Sequence, residues 1–409
     1  MNKFLKLSVV IATLSLSSTA FSAGYQLNEY SATGMGRSFA GVGVVGDDFS
    51  AIGYNPAGMT YNETSGVQAT ASYVRLYSHF KDKSDKNLGR GQTDINRILP
   101  GFFAQHRFDD KLTTGIGVYT PFGLATDYPN GWFGEEHAGL SAVTAINISP
   151  SIAYQLNDYV SVGGAVNFQN ISAHLTSSAA DLEGDDWGVG YTLGLTVTPI
   201  KPVRIGLSYR SKISHQLKGD INRLTVPYGG NYFTFNNGDV SAKITTPETA
   251  TLSAAWDVND KWTLSGTARW TRWKRFNSLD IDLTVPNTPL GTISRTSSTK
   301  EKWRNTGFYA LGADYKWNDN WTVRAGLAYD MTVIRSAGYR TPRIPDGRRV
   351  WNSIGVSYAH KNFQVDFGYA HIYVFGGHAK GTMEGASEKP NIKYSSDANM
   401  FSLGLQYKF

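Results

Sequence analysis

Histidine is the residue most often met at catalytic and metal centres. This chain has eight: His79, His106, His137, His174, His215, His360, His371 and His378. No two have the HExxH spacing that sets imidazoles on one helix face, and none is expected in a ligand-like cluster. Cysteine is absent, which excludes thiolate nucleophiles, thiolate metal sites and disulfides. No G-x-S-x-G elbow occurs, so a serine hydrolase would have to gather Ser, His and Asp or Asn from separate elements. Gly41-Val42-Gly43-Val44-Val45-Gly46 matches GxGxxG, but neither a strand before it nor a helix after it is visible. Tight backbone packing is the plainer reading. Asp181, Glu183, Asp185 and Asp186 form an acidic stretch, read as a loop that is either solvated or holds a divalent cation against lipopolysaccharide. These residue types bind rather than make bonds. The chain is expected to be no enzyme, with no cofactor and no metal.

The basic residues carry more. Arg107, Arg204, Arg210, Arg269, Arg324 and Lys316 share one phase of their segments, and Arg335, Arg340, Arg343, Arg348 and Arg349 cluster near 331–349. They could pair with carboxylates such as Glu29, Asp47 and Asp48, or receive the head group of an acidic amphiphile. Trp270-Thr271-Arg272-Trp273-Lys274-Arg275-Phe276 interleaves rings and cations, as an interfacial girdle or as a patch that captures an amphipathic ligand. Arg269, Trp273, Lys274, Arg324 and Arg349 are the candidates for contact with a ligand or its head group. Net charge is +6, but the cations are scattered, so no nucleic-acid surface is expected.

These residues must be held by strands. Charged residues are only 18%, aromatics reach 13%, and there are 43 glycines, a balance suited to an all-β protein with aromatic girdles. Residues 1–22 read as a secretory signal: Lys3 and Lys6, an apolar core from Leu7 to Leu16, then Ala20-Phe21-Ser22 before cleavage at Ala23. No later stretch approaches the ~18 consecutive apolar residues of a membrane helix.

From 65 to 409 a quasi-repeat appears. Phe108-Asp109-Asp110-Lys111-Leu112-Thr113, Leu156-Asn157-Asp158-Tyr159-Val160-Ser161, Val258-Asn259-Asp260-Lys261-Trp262-Thr263 and Trp317-Asn318-Asp319-Asn320-Trp321-Thr322 are one Asn/Asp turn between strand ends. Pro199-Ile200-Lys201-Pro202 and His360-Lys361-Asn362-Phe363 add two more turns. Longer polar segments fall near 79–95, 127–141, 177–186, 220–238, 284–300, 331–347 and 381–396. Short turns alternating with long loops predict fourteen strands, an even number with the two connection lengths on opposite sides. Within 187–197, 321–330 and 401–409 apolar and small or polar residues alternate. The aromatic strand ends and the charges on the minority phase favour an apolar exterior. The fold predicted is all-β: a fourteen-stranded antiparallel transmembrane β-barrel in the bacterial outer membrane. A soluble periplasmic barrel or sandwich is the alternative.

Residues 23–64 differ. Eight are glycine, no strand or helix period is sustained, and Asn55-Pro56-Ala57-Gly58 is a turn signal. This segment is expected to plug the lumen. Tyr119-Thr120-Pro121-Phe122-Gly123-Leu124 interrupts a strand, because proline cannot donate to a ladder and glycine weakens one. Either the strand ends there or the wall opens.

Taken in order, these pieces resemble the FadL family of outer-membrane transporters for long-chain fatty acids and other hydrophobic compounds. The similar residues are Ala23-Gly24-Tyr25-Gln26-Leu27-Asn28-Glu29-Tyr30, Gly34-Met35-Gly36-Arg37, Asn55-Pro56-Ala57, Phe122-Gly123-Leu124-Ala125-Thr126, Trp187-Gly188-Val189-Gly190-Tyr191, Ser208-Tyr209-Arg210-Ser211 and Ile344-Pro345-Asp346-Gly347-Arg348-Arg349-Val350-Trp351. The resemblance implies a barrel closed by an N-terminal hatch (Ala23, Gly24, Tyr25, Gln26, Asn55, Pro56 and Ala57). It also implies capture of ligand at extracellular loops, hatch rearrangement and sideways exit at a kinked third strand (Pro121, Phe122 and Gly123). Its partners would be a hydrophobic small molecule, outer-membrane lipid and lipopolysaccharide, and it would be a monomer. One departure is the short third long loop near 177–186, where that family carries a helical insertion and a basic residue without counterpart in His174 to Ser178. Fatty acids are the first expectation and aromatic or alkane hydrocarbons the second. A general porin, and a surface adhesin or phage receptor, are the readings from other classes.

Overall fold

The computed structural model describes residues 24–83, 90–289, 291–380 and 391–409. The signal segment 1–22 and Ala23 lie outside the described residues. Nineteen strand segments follow one another: β1 (Gly66–Asp82), β2 (Arg90–Arg107), β3 (Leu112–Asp127), β4 (Leu140–Asn157), β5 (Val160–Thr176), β6 (Ala180–Ile200), β7 (Val203–Arg210), β8 (Ile213–Tyr228), β9 (Asn231–Phe235), β10 (Asp239–Thr246), β11 (Thr249–Asp257), β12 (Trp262–Thr271), β13 (Ser278–Thr288), β14 (Gly291–Lys300), β15 (Thr306–Lys316), β16 (Trp321–Asp330), β17 (Arg348–His360), β18 (Phe363–Lys380) and β19 (Asn391–Lys408). Short breaks divide four staves: β7 runs into β8, β9 into β10 and β11, β12 into β13, and β14 into β15. The wall is therefore a fourteen-stave antiparallel barrel. It closes where β1 pairs β19 from Gly66↔Lys408 to Asp82↔Ile392.

The four Asn/Asp turns share one mechanism. The Asp109 Oδ1 accepts from the amides of Lys111 and Leu112 at 2.7 Å. Asn157, Asn259 and Asn318 each accept in the same way from the amides two and three residues on. A side-chain carbonyl thus replaces the ladder partner that a two-residue reversal cannot supply.

The apolar phase faces outward. Phe401, Leu403 and Leu405 are 41–53% exposed, whereas Ser402 and Gln406 on the alternate phase are 1% and 2% exposed. Ile116, Ile148, Ile152, Val189, Leu193, Leu207, Leu311 and Leu327 extend this outer band, with Trp262, Trp317, Trp321, Phe363 and Phe409 at the short-turn end. Lipid satisfies such a surface provided the ring has no edge. No helix among the described residues is long and apolar enough to cross a membrane.

Several loop boundaries differ from the sequence reading. The stretch 177–186 is mostly strand: β6 begins at Ala180, so the acidic residues Asp181, Glu183, Asp185 and Asp186 lie on a ladder with β5 and β8 and not in a loop. Much of 220–238 and 284–300 is also hairpin. These extensions rise beyond the outer apolar band: their inner residues, such as Leu182, Ile221, Leu224 and Val240, are buried together, while their outer residues are polar, so the apolar-outward pattern that marks the lipid-facing strands is absent.

Residues 24–62 lie within the ring. They form two short helices, α1 (Ala32–Gly36) and α2 (Ala51–Tyr54), and a 3-10 turn (Pro56–Tyr61). Ser31 caps α1 by accepting from the Gly34 amide at 2.8 Å, and Asn55 caps the 3-10 turn, with Pro56 at its first position. The segment reaches the wall through wall glycines. A Cβ on Gly326 would lie 2.2 Å from the carbonyl carbon of Arg37, and one on Gly355 2.7 Å from the Gly36 Cα. Around Asn55-Pro56-Ala57, a Cβ on Gly194 would lie 2.1 Å from Asn55 Oδ1, and one on Gly163 2.4 Å from the Ala57 amide. Glycine inside a strand weakens it, and here it admits another backbone.

Candidate functional site

Above the hatch is a narrow, largely apolar chamber. Leu124, Val143, Leu217, Ile244, Leu279 and Ile344 supply its apolar wall, and Tyr25 forms its floor. Its charged residues are Glu183, Glu301 and Arg343. Arg343, in the loop between β16 and β17, donates to Ser141 Oγ at 3.0 Å and to the Thr176 carbonyl at 3.2 Å. Burial pulls its guanidinium down to about 10, against the attraction of Glu301. Glu301 lies in the break above β15 and accepts from Trp303 Nε1 at 2.9 Å. Burial pushes its carboxyl up to about 7, partly offset by that bond and by Arg343. No carboxylate lies within ion-pair distance (4.0 Å) of Arg343 among the described residues.

The floor is an aromatic stack. The Tyr25 ring sits 4.7 Å from Trp273, 5.8 Å from Trp303, 5.9 Å from Phe122 and 6.1 Å from Phe276. Gly24 before it has φ +69°, and a Cβ there would meet Trp303 at 2.7 Å, so both backbone and space require glycine. Edge-to-face pairs of this kind contribute about 0.5–1.5 kcal/mol each beyond burial.

Beside the floor the wall is incomplete. β2 pairs β3 only from Phe102↔Val118 to Arg107↔Thr113, although both strands continue further. The β3–β4 register shifts between Tyr119 and Phe122, around Pro121. From Tyr119 to Thr126 every residue is buried, so β3 leaves the two-faced pattern and bends into the lumen. Its freed inner edge is taken by the hatch. The Leu27 amide donates to the Pro121 carbonyl at 2.8 Å, and the Gly123 amide to the Tyr25 carbonyl at 2.7 Å. The hatch thus adds a short strand to the kink, with Gln26 opposite Phe122. Gly24, Tyr25, Gln26, Pro121, Phe122 and Gly123 are brought together here. Asn55, Pro56 and Ala57 sit elsewhere, against β5 and β6.

Charge anchors the hatch lower down. Arg37 donates to Asp47 through both terminal nitrogens, at 2.7 and 2.9 Å, and to Asp314 at 3.0 Å. Arg324 reaches Asp47 at 3.1 Å and Asp314 at 3.3 Å. Burial pushes the Asp47 carboxyl up, but Arg37 and Arg324 hold it well below the usual carboxylate range. Asp48 accepts from Ser31, Thr33 and Ser50. Pairing with a hatch carboxylate is therefore what the structure gives Arg324. Arg349 pairs within the wall and loop, with Asp330 at 3.3 Å and with Asp346. Trp273 is fully buried beneath the chamber, whereas Lys274 is exposed and turned from it, so the Trp-Lys stretch is no continuous surface patch. Arg269 faces the hatch and donates to Asn28. Lys316 is exposed at the short-turn rim.

The expectation that no histidine joins a ligand-like cluster needs correction. His174 Nε2 lies 2.9 Å from Asp181 and 3.5 Å from Glu183, a group that spacing would allow to hold a metal ion. The β5–β6 register brings them together, which the loop reading of 177–186 concealed. Arg343 and Glu301 are the residues that sequence reasoning did not single out as a site. Arg343 was one of five neighbouring arginines, and only the folded loop shows which enters the chamber.

Comparison with known proteins agrees with this geometry. The chain is 27% identical to the "Long-chain fatty acid transport protein" of Escherichia coli O6:H1, covering 99% of each chain. Its fold matches a Pseudomonas aeruginosa FadL homologue with a TM-score of 0.81 at 23% identity, covering 95% of this chain and 100% of that one. It also matches the Pseudomonas putida toluene transporter TodX, at 0.75 and 17%, covering 95% and 99%. Residues 13–409 match the model of the outer membrane protein transport protein family (OMPP1/FadL/TodX), and the chain belongs to that family of outer-membrane transporters of hydrophobic compounds.

Proposed function

We propose that this barrel carries hydrophobic carboxylates, long-chain fatty acids foremost, passively across the outer membrane. The observation that carries the reading is Arg343: the one cation lining the chamber, without an ion-pair partner among the described residues, on a mainly apolar wall that also carries Glu183 and Glu301. Each buried methylene favours the chamber by about 0.8 kcal/mol. A charge-assisted bond to a carboxylate adds about 1.5–3 kcal/mol that a hydrocarbon cannot gain. The name of the E. coli relative supports the same ligand class. Passage then follows displacement of Tyr25 and its neighbours from the β3 kink, and the ligand leaves sideways through the β2–β3 discontinuity. The gradient alone drives it.

The second reading, aromatic hydrocarbon, is favoured by the ring-lined floor. Uptake of labelled oleate and labelled toluene by cells expressing the wild type, Arg343→Met or Pro121→Val separates them. Arg343→Met should lower oleate uptake about tenfold or more and leave toluene unchanged. Oleate uptake indifferent to Arg343→Met, with brisk toluene uptake, would sink the carboxylate reading. Pro121→Val should abolish uptake while purified barrel still binds oleate, and normal uptake would remove the lateral exit.

A further inference from the structure

A second, small cavity, of about 20 Å³, lies between the hatch and the wall formed by β7, β11 and β12. The hatch segment from Tyr25 to Asn28 separates it from the chamber: Tyr25 lines the chamber above, and Gln26 and Asn28 line the cavity below. Two guanidiniums face it, Arg210 and Arg269. Arg210 donates to the Gly53 carbonyl at 2.5 Å and the Tyr119 hydroxyl at 3.3 Å, and stacks 5.6 Å over the Tyr119 ring. Arg269 donates to Asn28 Oδ1 and lies 4.9 Å over the Phe308 ring.

Their partners set them apart. Arg37, Arg204, Arg324 and Arg349 each bond a carboxylate. Arg210 and Arg269 have no carboxylate within ion-pair distance among the described residues. Asp330, the attractive acid nearest in effect to Arg269, is committed to Arg349. The Nε of both arginines and the Nδ2 of the fully buried Asn28 have no hydrogen-bond partner among the described residues. Two like charges with unused donors, enclosed beside Phe39, Val42 and Phe308, ask for an anion with one apolar end.

We infer that this cavity is a second, deeper binding site that takes the carboxylate head group of the cargo once the Tyr25 partition moves. The head group then passes from Arg343 to the Arg210–Arg269 pair while its tail still occupies the chamber. The inference rests on the fatty-acid reading above and adds a stage to it.

The test compares uptake of oleate with that of oleyl alcohol, the same chain without the charge, in cells expressing the wild type, Arg269→Gln or Arg269→Lys. Arg269→Gln should lower the oleate-to-alcohol ratio about tenfold, the loss of one charge-assisted bond, and Arg269→Lys should restore most of it. An unchanged ratio, or equal impairment of both compounds, overturns the inference, because it leaves Arg269 only a structural role in seating the hatch. Crystals of the full chain soaked in 2-bromohexadecanoate, with bromine beside the carboxylate, should place anomalous density between Arg210 and Arg269. Density there from sodium bromide alone, with none from the bromo-acid, would mean a small inorganic anion and overturn the cargo assignment. A wild type that takes up no oleate at all sinks the fatty-acid reading itself, before any variant is compared.

Discussion

Asparagine at position 47 should loosen the hatch. Asp47, Asp314, Arg37 and Arg324 form a closed quartet of two negative and two positive groups, with both guanidinium side chains only 3% exposed. Asp47→Asn keeps the shape but leaves two buried arginines sharing Asp314. Removing one partner of a buried pair costs about 3–5 kcal/mol. Asp47 is 19% exposed and asparagine keeps one acceptor, which lowers the figure to about 2–3 kcal/mol. At about 1.4 kcal/mol per factor of ten, the population with the hatch displaced should rise roughly 30- to 140-fold. Single-channel recording in planar bilayers reads this as open probability, and amide exchange over residues 32–36 reads it as faster opening. Asp47→Asn/Arg324→Gln, which removes one charge of each sign, should open less than Asp47→Asn alone. Open probability and exchange within about twofold of wild type would refute the claim that this quartet holds the hatch.

Two further outcomes follow from the hatch. Glu29 is buried with one carboxyl oxygen unpaired among the described residues, and burial pushes its carboxyl up to about 7. The unfolded carboxyl ionises near 4.5, so the closed hatch is most stable below that pH. It should lose on the order of 3 kcal/mol as the pH rises through 7. Hatch exchange measured from pH 5 to pH 8 should show this slope, Glu29→Gln should flatten it, and a slope that persists in the variant would assign it elsewhere. Gly355→Ala should displace α1, because its Cβ would meet the Gly36 backbone at 2.7 Å, an overpacking worth about 1–3 kcal/mol. Conductance should rise while the barrel keeps its heat-modifiable gel mobility, and wild-type conductance would show that the helix shifts without leaving.

The barrel was legible wherever one face met lipid and the other the lumen, because alternation records that difference. Trp187 to Val197 and Phe401 to Phe409 carry it plainly. The turns were legible because Asn157, Asn259 and Asn318 do their work within three residues. Beyond the lipid band the outer face meets water and carries Asp181 and Asp185 while Leu182 turns inward, and so 177–186 read as loop although it is ladder. Contacts made at long range left no local mark. Arg324 meets Asp47 across 277 positions, and Gly326 and Gly355 look like any weak point in a strand until the hatch is seen against them. Pro121 announced a break, but only the β2–β3 register shows that the neighbouring ladder stops there.

The hatch is made first and rests on what is made last. α1 packs on β16, β17, β18 and β19, Ser38 bonds Ser353, and β1, which follows the hatch directly, bonds β19 through Ser72 and Ser402. Until β16 to β19 are in place, α1 lacks the wall it packs on, and the segment's glycines give it little order of its own. Assembly therefore has a direction: the cylinder forms around an unstructured leader, and the leader is stowed at the end. A truncated chain lacking β19 would lose a wall stave and its stopper together.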